Sequence, residues 1–154
     1  MTSALALRLI LLFLHIAFAA LWLGPPLGLT KTVARGLASG QESLRLAVIE
    51  LKFRGMLATI GGFGVFVTGF ALIFAGGGFS KFGPQFHAAI GLVTLAIANS
   101  FFFRPLSARV AAAAENYTDA NRADAARAIR RMTIHSNVQH LFWTASLVLM
   151  LWPR

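Results

Sequence analysis

Four histidines, His15, His87, His135 and His140, lie in or beside apolar runs of a chain that has no cysteine. Imidazole is the commonest metal ligand and a frequent axial ligand of haem. Held in lipid it can instead tie one helix to the next. An ionisable side chain inside a membrane span is costly and marks a functional site by default. The stretch around His15, LHIAFAALWLG, is the strongest case, because everything beside the imidazole is apolar. His135 lies at the end of its run and is the weakest.

Helical spacing gives each histidine a face. On the first run Arg8, Leu11, Leu12, His15, Phe18, Ala19 and Trp22 share one side. On the third, His87, Gly91, Thr94, Ala98 and Phe101 do so. On the fourth, Thr133, Asn137, His140 and Thr144 form a polar stripe, with His135 and Gln139 pointing elsewhere. Polar faces in lipid turn inward, so His15, His87 and His140 are expected inside a bundle. The second run carries Gly55, Gly62, Gly69 and Gly76 at every seventh position, with Gly61 and Gly64 beside them. Such a face suits close helix packing or the flat side of a porphyrin. Depth decides which imidazoles pair. A first span centred near Leu14 sets His15 level with His140, and one centred near Ala19 brings it towards His87.

The elements that must position these groups follow from composition. Of 154 residues, 57% are hydrophobic and 12% charged, about half the charge of a soluble domain. Apolar runs at about 4–29, 54–75, 85–104 and 134–152 are long enough to cross a bilayer. The first is read as a retained helix, not a cleaved leader, ended by Gly24-Pro25-Pro26. Ser39 and Glu42 have the spacing of a capping box, which starts the second helix near Gln41, ahead of the lipid. Pro84 suits the first turn of the third helix, Asn116 its end, and Thr118 the cap of the fourth. The expected fold is all-α: a single four-helix antiparallel transmembrane bundle over 1–154.

Charge orients it. The first connection holds Lys31, Arg35, Arg45, Lys52 and Arg54, and the third holds Arg104, Arg109, Arg122, Arg127, Arg130 and Arg131. The second holds only Lys81. Positive connections stay in the cytoplasm, so both termini face out of a bacterial-type inner membrane. The formal charge of +9 is spread over these connections, not gathered in a patch with aromatics, which argues against nucleic acid. All five acidic residues also lie in the connections, which argues against an ion pump or a carboxylate metal site. Asn99 and Ser100 are expected to bond between helices.

The residues His15, Trp22 and Gly24, with Gln85-Phe86-His87-Ala88-Ala89-Ile90-Gly91, resemble the copper-resistance D domain family and the HemJ-type membrane protoporphyrinogen oxidases. The resemblance implies four helices and a b-type haem, with His15 in the place of the first-helix ligand. The third-helix lysine of the HemJ type has Ala89 in its place, which weighs against protoporphyrinogen oxidation. The leading expectation is a membrane haem b protein that transfers electrons to or from a quinone or a redox subunit. His15 is one axial ligand, with His87 (by resemblance) or His140 (by depth) the other. Gly62 and Gly69 lie against the ring, and Arg8, or Arg54 and Arg104, pairs with its propionates. The alternatives are a non-enzymatic subunit of a larger complex or homo-oligomer, and copper transport, which the lack of cysteine weakens.

Overall fold

The computed structural model describes residues 3–151. Trp152, expected to end the fourth span at the interface, and Arg154 lie outside them. Six α-helices and one 3-10 turn make up the described chain. Helix α1 (Ser3–Leu23) is followed by α2 (Leu29–Ser39) and α3 (Gln41–Ala75). The 3-10 turn (Phe79–Lys81) leads to α4 (Pro84–Ser100), α5 (Phe103–Glu115) and α6 (Asp119–Leu151). Three helices are long and apolar enough to cross a membrane: α1, α3, and the run from Pro84 to Glu115 that joins α4 and α5. The fourth expected span, the second half of α6, is diluted by His135, Ser136, Asn137, Gln139 and His140.

Local chemistry explains the boundaries. Gly24, Pro25 and Pro26 end α1 as expected, and Arg54 ties the corner down by donating to the carbonyls of Pro25 (3.1 Å) and Leu27 (3.4 Å). Helix α3 starts at Gln41, but Gly40 caps it and no side chain closes the box from Ser39. Gly40 has φ 117°, a conformation open to glycine and not to serine. The break at Phe101 and Phe102 follows from Pro105, which has no N–H to give the Phe101 carbonyl and crowds it. Thr118 accepts from the Asn121 amide (3.3 Å) and caps α6 as read from the sequence.

Helix α2 was not expected. It was read as part of a polar connection, yet Leu29, Val33 and Gly36 return on one face and are buried. They join the first half of α3, α5 and the first half of α6 in one core, where Leu44, Met132, Val33 and Val110 are fully buried. The first and third connections therefore pack together at one end, the polar end. Gln41 and Arg45 donate to the Ala114 carbonyl (3.1 and 3.2 Å), and Tyr117 donates to that of Leu37 (2.6 Å). The stretch Asp119 to Arg131, which holds four of the basic residues of the third connection, is the start of a continuous helix, with Ala125, Ala128 and Ile129 in the core.

At the other, apolar end the chain forms two antiparallel helix pairs, α1 on α3 and α4 on α6. They meet around Trp22, Val65 and Ala96, with Phe142 and Trp143 packed alongside. The outward side is apolar and bare: Phe13 is 72% exposed and Phe63 71%.

Candidate functional site

Helix α1 lies along the glycine face of α3. Going up α1 from Arg8 through His15 and Phe18 to Trp22, the partners on α3 go down from Ala75 through Thr68 and Gly64 to Gly61. A methyl on Gly61 would strike the backbone of Leu21 and Trp22, and one on Gly64 the Phe18 ring. These two glycines set how close the helices come. Gly62 and Gly69 lie at the rim of the seam. A Cβ on Gly62 would meet the Trp22 indole at 3.2 Å, and one on Gly69 would meet His15 Cε1 at 3.2 Å. The centre of the face is filled by α1 and not free for a porphyrin.

The hydroxyl of Thr68 donates to the Gly64 carbonyl (2.6 Å). Its oxygen is therefore left as an acceptor, and the His15 Nδ1–H donates to it (2.9 Å). In the neutral ring this leaves the remaining lone pair on Nε2, while Cε1 and Nδ1 are the ring atoms that face Gly69. A ligating histidine is oriented in the same manner, its second nitrogen fixed by an oxygen acceptor. Of the face read for α1, Leu11, His15, Phe18 and Ala19 are half-buried and Trp22 is buried, whereas Arg8 and Leu12 are exposed.

The other histidines share the tautomer but not the place. His87 Nδ1–H donates to the Gly83 carbonyl (3.0 Å), and His140 Nδ1–H to that of Ser136 (2.7 Å). His135 Nδ1–H donates to Asn99 Oδ1 (2.7 Å), while the Asn99 amide donates to the His135 carbonyl (2.8 Å) and to Gln139 (3.2 Å). His135 also stacks on Phe102, with centroids 5.0 Å apart. Among the described residues, only His140 Nε2 is a buried side-chain polar atom with no partner.

The structure does not bring His15, His87 and His140 together. The face of α4 read as inward, with His87, Gly91, Thr94, Ala98 and Phe101, is exposed. Ala89, Ala96 and Asn99 are buried instead. His87 lies near Phe79, which packs on Phe70 and Phe74 of α3. At 100° per residue Phe70 is about 200° round the helix from Thr68, so His87 and His15 are on opposite sides of α3. His140 lines a cavity with Leu27 and Gly28, beyond the end of α1. His15 is eight residues before that end, about 12 Å along the axis. Level placement of His15 and His140 is thereby lost.

The stripe on α6 is only partly inward: Thr133 and His140 are half-buried, but Asn137 and Thr144 are exposed, and Gln139 and Ser146 are buried against α4 instead, the latter donating to the Ala89 carbonyl (3.2 Å). Arg8 is engaged with the Ala75 carbonyl and Arg54 with Glu50, so neither guanidinium stands free. Sequence reasoning missed Thr68. The signal was present, because Thr68 and Gly64 are four residues apart on the glycine face. Among the described residues no group of three or more His, Cys, Asp or Glu could hold a metal ion. A porphyrin gripped by two histidines of one chain does not fit this arrangement, which leaves His15 as the single candidate ligand. Comparison with protein-family models, curated proteins and solved structures finds no match.

Proposed function

We propose that the chain is a four-span protein of a bacterial-type inner membrane, with the polar end in the cytoplasm and both termini outside. The second half of α6 is the fourth span, its polar groups turned to α4 and to the cytoplasmic boundary. The basic excess of the polar end supports this orientation. Arg35, Arg45, Arg109, Arg122 and Arg127 lie there, against Arg8 and Lys81 at the other end.

Within that frame the chain holds haem b through His15 and exchanges electrons with a quinone or a partner redox subunit. When bound, the haem supplies a one-electron iron couple. The observation that supports it is the relay from His15 to Thr68 to Gly64, which orients the imidazole and leaves Nε2 as its lone-pair nitrogen. His87 and His140 drop out as second ligands within one chain. Purified protein then shows a Soret band and a pyridine-haemochrome signal. His15→Ala abolishes both, while His87→Ala and His140→Ala keep them. Thr68→Val retains the ligand but loses its orienting acceptor, and haem affinity falls about tenfold or more.

The Gly61 and Gly64 contacts favour a second reading, a colourless packing subunit of a larger membrane complex. A preparation without a Soret band selects it. His15→Ala then leaves assembly with the partner unchanged.

A further inference from the structure

We propose that the cavity between the first turn of α2 and the polar stripe of α6 holds the head group of an anionic glycerophospholipid. The cavity has a volume of about 470 Å³, and its polar wall is Thr30, Lys31, Thr133, Ser136, Asn137 and His140. The remainder is apolar, and no carboxylate lines it.

The wall is short of partners. Every ion pair among the described residues joins an arginine to an acid, and Lys31 is in none of them. Asn137 is exposed and makes no side-chain hydrogen bond among the described residues, and His140 Nε2 is the orphan described above. The Thr133 hydroxyl is already given to the Ile129 carbonyl (3.0 Å). With Nδ1–H given to Ser136, His140 Nε2 accepts and suits a head-group hydroxyl, and the rest can donate: an ammonium, an amide and the hydroxyls of Thr30 and Ser136. Such a set suits oxygen acceptors bearing negative charge.

Depth identifies their source. The cavity lies just past the end of α1, level with the corner that Arg54 ties down, where apolar helix gives way to the basic polar end. In the proposed topology, on which this inference rests, that is the level of the cytoplasmic head groups. A lipid phosphate fits beside Lys31, with the acyl chains running along the bare apolar side. An ethanolamine or choline head group brings a second cation to Lys31 and is disfavoured.

The test uses the full chain in detergent, incubated with equal amounts of phosphatidylglycerol and phosphatidylcholine of matched chains and read by native mass spectrometry. Phosphatidylglycerol is retained in preference. Lys31→Ala lowers its retention about fivefold, the weight of one basic residue at an anionic surface. Asn137→Leu lowers it less, and Lys52→Ala, on the exposed side of α3, leaves it unchanged. Equal retention of the two lipids overturns the site. Equal loss with Lys52→Ala overturns it in favour of diffuse charge. Displacement by inorganic phosphate at the lipid's own concentration overturns the lipid assignment. The topology is read separately, by labelling Thr30→Cys in the cysteine-free chain. Labelling from outside the membrane defeats the orientation, whereas labelling from inside without lipid preference defeats the site alone.

Discussion

The two ends of this molecule are held together by different means. At the polar end four helical segments close around a core of leucine, valine, isoleucine, alanine and methionine, in which Leu44, Val33 and Val110 have no exposed surface. At the apolar end the buried cluster is smaller, Trp22, Leu23, Val65 and Ala96, although the helices there are far more apolar. Water accounts for the difference. In water, apolar surface is driven inward, and the polar end obeys that demand. In lipid the surroundings are as apolar as leucine, so burial gains little and helices are joined by close fit and hydrogen bonds. Gly61, Gly64 and the bond from Ser146 to the Ala89 carbonyl supply these at the apolar end. All five ion pairs among the described residues are at the polar end.

The contrast predicts where substitutions hurt. The largest loss is expected for Leu44→Ala, which removes a fully buried side chain from the water-facing core. The expected cost is about 2–5 kcal/mol, seen as a lowered midpoint in denaturant unfolding of the detergent-solubilised protein. Phe13→Ala at the apolar end, despite the larger side chain, is expected to leave the midpoint nearly unchanged, because Phe13 is already 72% exposed. A loss at Phe13 equal to that at Leu44 would remove the distinction between the ends.

The second effect belongs to the seam. Gly61→Ala puts a methyl against the backbone of Leu21 and Trp22, which cannot swing aside as a side chain can. The helices must part, at a cost of about 1–3 kcal/mol. Gly64→Ala meets the Phe18 ring, which can turn, and should cost less. If the two alanines cost the same, ring and backbone yield equally and the seam is softer than its geometry implies. Both variants also displace the helix that carries His15. In coloured protein the Soret band should weaken in step with the lost stability.

Much of this architecture was legible in the sequence, for reasons that differ by element. The ends of α1, α4 and α6 were written in Gly24-Pro25-Pro26, Pro84 and Thr118, whose effects are local. The gathering of the first and third connections at one end followed from charge. Helix α2 was hidden because its apolar positions, Leu29 and Val33, are few and stand among Lys31, Arg35 and three threonine or serine residues. The inward faces of α4 and α6 were misjudged for a physical reason. The rule that polar groups face inward assumes a bundle closed on all sides. Here α4 has α6 on one flank and no α1 or α3 partner of similar extent on the other. His87 was therefore assigned to the interior, but it lies on the exposed flank of α4. The partner of His15 needed the register of α1 on α3, a long-range quantity that no single helix carries.

The smallest effect has the opposite sign, and it sharpens the comparison most. Gly55 begins the seven-residue glycine repeat, yet a Cβ there meets nothing within 4 Å. It lies at the level where α3 passes from the polar end into the apolar one, exposed and away from α1. Glycine in a helix interior costs roughly 0.5–1 kcal/mol relative to alanine through its extra freedom in the unfolded chain. Gly55→Ala is therefore expected to stabilise the protein by about that amount in the same denaturant unfolding, while Gly61→Ala destabilises it. Opposite signs for two glycines of one helix would tie the glycine requirement to contact with α1 and not to the repeat. A loss at Gly55 would instead mean that a surface bare in the isolated chain is covered in the membrane, by a second copy or by a partner subunit.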